Sequence, residues 1–238
     1  MFLQPLLTLS KKQKKMIKLT KRPKPRILVD KETQWTNELM SYINNGTDPP
    51  VSVKNRYRHE EIKNEVIIET NGKCAYCESK MLHIDHGDIE HIIPKAIKPE
   101  LSFSWNNLTL VCSKCNKNKR DKYYQNIPFL NPYIDEIEDH LWASGPMILN
   151  IINSASGKIT IREIGLNRIE LIEKRIEAID TIQVYIENYE NSPSEEIKEF
   201  LKREIIQFTD SDKEYSFIIK QFLAHHRINM KLNQIDKV

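Results

Sequence analysis

The four cysteines of this 238-residue chain, Cys74, Cys77, Cys112 and Cys115, form two C-x2-C pairs separated by 34 residues, with none left over. Two residues between cysteines let both sulfurs of a tight turn face one tetrahedral ion. Two such knuckles supply four thiolates and leave no open position. The pattern therefore predicts a closed zinc site whose contribution is to folding rather than to chemistry. A disulfide framework is a poorer explanation, because a chain of this length can bury a core without covalent staples. A redox pair is disfavoured by the presence of two pairs and by the lack of a βαβ pattern around either. The interval is longer than in short zinc ribbons, so something functional is expected between the knuckles.

The stretch Asp88 to Lys119 reads DIEHIIPKAIKPELSFSWNNLTLVCSKCNKNK. Ile89 to Ile93 reads as a strand that Pro94 ends. Pro94 to Asn106 reads as a loop, Leu108 to Val111 as a second strand, and Ser113 to Lys122 as a lysine-rich helix, which together make a compact ββα unit. Glu90 and Asn116 offer a carboxylate and an amide oxygen, hard ligands suited to Mg²⁺ or Mn²⁺. His91 offers a neutral imidazole, the natural base to take a proton from water near pH 7. Strict alternation puts Glu90 and His91 on opposite faces, so the reading requires the strand to distort there. Lys95, Lys98, Lys114, Lys117, Lys119, Arg120 and Lys122, with only Glu100 and Asp121 among them, predict a surface for phosphates and hence for nucleic acid.

With these residues in view, CAYC, EHIIPK and WNNLTLVCSKCNKNK resemble the HNH (His-Me finger) nuclease motif in its cysteine-flanked, zinc-stabilised form. The resemblance implies metal-assisted phosphodiester hydrolysis. His91 matches the first motif histidine and would activate water, while Glu90 and Asn116 would hold one Mg²⁺ or Mn²⁺ ion. Asn107 matches the central asparagine and would keep the imidazole oriented. Glu90 stands where many such proteins have Asp or His, and Asn116 where the motif often has His. Outside the motif, MIKLTKRPKPRILVDKETQW, FLNPYIDEIEDHL and GKITIREIGLNRIELIEKR resemble the HNH endonucleases of retron and Septu antiphage defence systems (PtuB-type). That likeness implies DNA as substrate, an ABC/AAA-like ATPase partner (PtuA-like), retron DNA in some systems, and a bacterial cytoplasmic location. The residues alone leave two alternatives open: a zinc-stabilised nucleic-acid-binding module, or an adaptor with an inactive nuclease centre.

The remaining sequence predicts an α+β, mostly helical fold: a zinc-stabilised ββα-metal core, N-terminal helices and a C-terminal helical extension. The boundaries read as a basic arm over 1–30, a nuclease domain with its four-cysteine site over 31–145, a β-hairpin over 146–165 and a helical region over 166–238. The arm follows from charge, since residues 1–29 hold nine Lys/Arg and no acid in a chain of formal charge +3. Met16 opens a more ordinary-looking segment and is a candidate natural start. The hairpin follows from Met147 to Ile152 and Lys158 to Ile164 around NSASG. Apolar positions from Leu166 to Tyr189 recur at threes and fours, as in an amphipathic helix. Two further helices are expected to about Phe208 and from about Asp212. This tail suits either packing or partner docking. His59, His83, His86, His140, His225 and His226 are assigned no chemistry. No run approaches the roughly 20 apolar residues of a membrane-spanning helix.

Overall fold

The computed structural model describes residues 18–82 and 86–225. Lys11, Lys12, Lys14 and Lys15 of the basic arm, and His83 and His226, lie outside the described residues. Of the described part of the arm, 18–30, residues 18–25 are an extended strap and 26–30 are already helical, so it is not a free tail. Lys18 pairs with Glu136 (3.0 Å), Lys21 with Glu69 (3.0 Å), Arg22 with Glu65 (2.7 Å) and Lys24 with Glu32 (2.7 Å). The Trp105 indole donates to the Arg22 carbonyl (2.8 Å), and the Lys21 ammonium lies 3.7 Å from the Trp105 ring centroid. These four cations are therefore engaged by carboxylates instead of facing outward for phosphate.

Helix α1 spans Arg26–Asn44 and begins at Pro25, whose fixed φ suits the position before a first turn. Helix α2 (Val51–Lys54) and a 3-10 turn (Arg56–Arg58) lead into α3 (Glu60–Glu69), where the His59 ring accepts from the Glu61 amide (3.2 Å) as the N-cap. The first knuckle follows as a tight turn bridged at Lys73 and Lys80. Strands β1 (Asp88–His91) and β2 (Leu108–Val111) pair antiparallel, with Glu90 opposite Thr109 and His91 opposite Leu108. Helix α4 (Ser113–Lys119) completes the ββα unit. Phe103, Leu108 and Leu110, fully buried with Ile62 and Leu28, form the core beneath it.

The hairpin expected over 146–165 is corrected. Strands β3 (Leu141–Ser144) and β4 (Met147–Asn150) pair around Gly145-Pro146, and Ala155–Ile164 is a helix, α5. The β-branched residues Ile159, Thr160 and Ile161 suggested a strand, but local capping overrides them. The Ser154 hydroxyl accepts from the Gly157 amide (3.1 Å) and Gly165 takes a left-handed φ of 72° at the C-cap. Buried Gly157, Thr160 and Ile164 recur at threes and fours, the helical period. Helices α6 (Ile169–Asn191), α7 (Glu195–Gln207) and α8 (Ser216–His225) follow the apolar stripe as expected. No helix among the described residues is long and apolar enough to cross a membrane.

Candidate active site

The two knuckles converge. The sulfurs of Cys74, Cys77, Cys112 and Cys115 all lie within 4.8 Å of one another, with Cys77 and Cys112 3.9 Å apart. Four thiolates about 2.3 Å from a central Zn²⁺ would sit about 3.8 Å from each other, so the set fits that ion. Electrostatics gives the same answer. Burial pushes the Cys74 thiol well above its ordinary range, while hydrogen bonds from the neighbouring sulfurs hold Cys77 well below. Thiols packed this closely cannot all ionise unless a dication shares their charge. Sequence reasoning did not anticipate the Arg168 guanidinium, which lies 3.6 Å from the Cys115 sulfur, 3.8 Å from Cys77 and 3.9 Å from Cys112.

The second knuckle also starts α4. Cys112 is its N-cap, and its sulfur accepts from the Cys115 amide (3.4 Å). A thiolate site thus sets where α4 begins, and with it the positions of Asn116 and Lys119 against β1. Asn116 donates from its amide nitrogen to the Asp88 carboxylate (2.9 Å), which leaves the amide oxygen unengaged among the described residues. Lys119 is completely buried and donates to Glu90 (2.5 Å) and to the His91 carbonyl (2.8 Å).

A cavity of about 160 Å³ opens along β1, lined by Asp88, Glu90, His91 and Asn116 together with Tyr57, Arg58, Lys95, Arg120 and Asp121. Pairing with β2 runs unbroken through His91, and the Ile92 amide continues it to the Asn107 carbonyl (2.9 Å). The expected distortion of the strand is therefore absent. Consecutive residues of β1 all line the cavity because it follows the strand edge that carries no partner strand.

His91 is buried, and its ring is held at both ends. Its Nε2–H donates to the Ser102 carbonyl (2.9 Å), and the Tyr57 ring packs edge-on at 4.6 Å. Donation from Nε2 leaves Nδ1 with the free lone pair. Burial depresses the imidazole to about 4, assisted by Lys95 and Lys119 against the opposing Ser102 bond, so the ring is neutral near pH 7. Asn107 shapes the loop that carries Ser102. Its side-chain oxygen accepts from the Ile93 amide (2.8 Å), and its amide nitrogen donates to the Ile93 (3.0 Å) and Leu101 (3.2 Å) carbonyls. Burial raises the Glu90 carboxyl above the usual carboxylate range, opposed by Lys119.

The cationic surface read from sequence needs dividing. Lys119 is corrected: it lies inside the unit as the counter-ion of Glu90, where no phosphate reaches it. Lys122 pairs with Glu163 (2.8 Å) and Lys114 approaches Glu170 (3.8 Å). Lys98 and Lys117 are exposed, away from the cavity lining. Lys95 and Arg120 line the cavity. Asp88, Tyr57 and Arg58 were missed. The signal for Asp88 was available, since residues two apart on a strand share a face and Asp88 stands two before Glu90. Tyr57 and Arg58 come from a turn some thirty residues upstream, with no local pattern that marks them. His140 bonds the Ser154 hydroxyl (2.8 Å), a structural role.

The HNH endonuclease family model matches residues 74–122, from the first knuckle to just beyond α4. The chain carries an HNH endonuclease domain. The HNH domain comprises both cysteine knuckles, β1, β2 and α4, whereas Tyr57 and Arg58 reach its cavity from outside the matched stretch. Beyond the domain, the chain is similar to the Septu protein PtuB of Bacillus mycoides (strain KBAB4), 30% identical over 159 residues that cover 54% of each protein. It is also similar to the Septu protein PtuB of Bacillus thuringiensis, 26% identical over 182 residues, covering 74% of this chain and 66% of the relative. The match thus spans little more than half the length of the first relative and about two thirds of the second.

Proposed function

We propose that this protein is a divalent-metal-dependent endonuclease that hydrolyses phosphodiester bonds in DNA, as the nuclease of a Septu-type antiphage defence system working with an ABC/AAA-like ATPase. The observation that carries the reading is the orientation of His91. Its Nε2 is committed to the Ser102 carbonyl, which leaves Nδ1 to act, and the residue lines the same polar cavity as Asp88, Glu90 and Asn116. The similarity to two Septu proteins supports the defence context.

Of the residues lining the cavity, Asp88, Glu90 and Asn116 offer two carboxylates and an amide oxygen, which suit a hard cation such as Mg²⁺ or Mn²⁺. Asp88 and Asn116 would hold it with the oxygen of Glu90 that Lys119 leaves free, and a cation held there would supply charge neutralisation to the scissile phosphate and its leaving oxygen. Nδ1 of His91 takes a proton from a water molecule aligned for in-line attack on phosphorus. The Ser102 carbonyl stabilises the imidazolium that results, through the Nε2–H it already accepts. Asn107 touches no substrate and keeps the Ser102 carbonyl in place. Lys119 orients Glu90 from below. Attack by water with departure of the 3′ oxygen leaves a 5′-phosphate and a 3′-hydroxyl.

Supercoiled plasmid incubated with the protein and Mg²⁺ or Mn²⁺ should be nicked, with 5′-phosphate ends and complete inhibition by EDTA. Cleavage that leaves 3′-phosphate ends, or that persists in EDTA, would contradict the mechanism. Purification from the native operon should bring down the ATPase; its consistent absence would refute the partnership.

A further inference from the structure

Arg58 stands outside the matched HNH stretch, yet it is among the residues that line the cavity. It sits at the end of the 3-10 turn between α2 and α3, and it is exposed. Its Nε donates to the Tyr57 hydroxyl (3.2 Å), and its guanidinium carbon lies 5.6 Å from the Tyr57 ring centroid. That bond uses one donor and leaves the terminal guanidinium nitrogens for another partner. The Lys95 ammonium also reaches the Tyr57 hydroxyl (3.4 Å) and packs 4.6 Å from the ring centroid. Tyr57 itself is buried against His91. One tyrosine therefore sets two cations in fixed relation to the imidazole.

The third cation arrives by a strained backbone. Arg120 closes α4 with φ 48° and ψ −138°, a conformation that side-chain-bearing residues seldom take. Its Nε donates to the Lys117 carbonyl (3.0 Å), which again leaves the guanidinium terminus open. No carboxylate pairs with Arg58, Lys95 or Arg120 in the ion pairs among the described residues, in contrast to Lys119, Lys122 and Lys114. The cavity thus carries groups of both charges. Its lining joins Asp88, Glu90, Asn116 and Asp121 to three cations that make no ion pair among the described residues, and His91 shares that lining.

Three cations left out of the ion pairs, lining one cavity beside the imidazole, fit a phosphodiester better than any neutral ligand. We propose that Arg58, Lys95 and Arg120 form a phosphate cradle, and that Arg58 is a catalytic residue that binds the non-bridging oxygens of the phosphate under attack. The proposal rests on the nuclease reading and deepens it by assigning the substrate's anionic contacts to named cations, of which Arg58 lies outside the matched HNH stretch. A guanidinium presents two parallel donors to two phosphate oxygens, a geometry that a lysine ammonium cannot copy. Its attraction strengthens as charge builds on those oxygens in the transition state.

The test compares the full chain with Arg58→Ala and Arg58→Lys, using Lys174→Ala as a charge control on exposed α6. Two readouts are taken. One is the single-turnover cleavage rate at saturating plasmid in Mn²⁺. The other is binding of a fluorescent twelve-nucleotide oligodeoxythymidine in Ca²⁺ as a function of salt, carried out in a His91→Ala background. Arg58→Ala should cut about 100-fold more slowly or worse, with Arg58→Lys recovering only part of the rate. The salt dependence of binding should weaken by close to one phosphate contact, whereas Lys174→Ala changes neither. Cleavage and salt dependence that are both unchanged in Arg58→Ala would overturn the cradle. If the wild-type protein cut nothing, the nuclease reading would fall. The binding arm would still decide the cradle: a reduced salt slope sustains it, and an unchanged slope overturns it.

Discussion

The imidazole of His91 is fixed by a series of contacts that begins at Asn107. That amide clamps Ile93 and Leu101, the clamped loop presents the Ser102 carbonyl, and the carbonyl receives Nε2–H. Asn107→Ala should therefore cost about 1–3 kcal/mol of stability in chemical denaturation, since buried backbone groups lose their partner. It should also slow single-turnover cleavage about tenfold or more while zinc content stays constant, and an unchanged rate would show that the clamp does not position the base. The same burial has a pH signature. His91 is depressed to about 4 from an ordinary 6.5, so the unfolded chain binds the proton more readily than the folded one. The stability due to the neutral ring is present above pH 6.5 and is lost as pH falls towards 4. Denaturation midpoints of wild type and His91→Gln at pH 7.5 and 5 should show wild type losing more than the variant; a difference independent of pH would contradict the burial argument. At this scale the cysteines, His91 and Asn116 were legible because their chemistry and spacing are local, whereas Asn107 was reached only through the resemblance to the nuclease motif. Lys119 misled because a lysine-rich helix does not show which cation faces inward. Its place three residues after Asn116 and four after buried Cys115, on the same helix face, was the available clue.

Elements are positioned by what ends them. The Cys112 cap starts α4, and the α5–α6 corner carries three consecutive contacts made by the GLNR segment. Gly165 adopts φ 72°, and a Cβ there would lie 2.8 Å from the Asn118 amide nitrogen. Asn167 donates to and accepts from the Ile148 backbone of β4 (2.6 and 2.9 Å), and Arg168 reaches the thiolates. The corner therefore ties β4 and the zinc ligands together. Placed against four thiolates on a dication, the Arg168 guanidinium offsets their excess negative charge. Arg168→Gln should release zinc to a colorimetric chelator several-fold faster than wild type with little change in circular dichroism; equal release rates would remove that role. None of this corner was legible beforehand. The β-branched run in α5 resembles a strand, and Ser154, whose capping helps decide otherwise, was read within NSASG as hairpin turn chemistry. The ββα unit was legible because strand, proline stop and cysteine cap occur in sequence order.

Across the whole molecule, the C-terminal helices and the first knuckle hold each other. The Glu78 carboxylate accepts from the Ser216 hydroxyl and the Phe217 amide at the start of α8 (both 3.1 Å), and the Ser79 hydroxyl meets the Tyr215 hydroxyl at 3.0 Å. The apolar periodicity of α6 to α8 was readable as helix, but these polar links join residues some 138 positions apart and leave no trace in sequence. Folding of both ends should therefore depend on the thiolate site. Cys112→Ser should lose zinc and melt at least ten degrees lower, as judged by metal analysis and thermal scans; retention of metal and melting temperature would disprove the four-thiolate assignment. The central claim is that a neutral His91, held by Ser102 beside an oxygen-rich cation site, takes the proton from the attacking water. The most direct test is single-turnover DNA cleavage by His91→Ala in Mn²⁺, with and without added imidazole. The account predicts a loss of about a hundredfold or more, partly restored by imidazole, with zinc content unchanged; a variant that cuts as fast as wild type would contradict it.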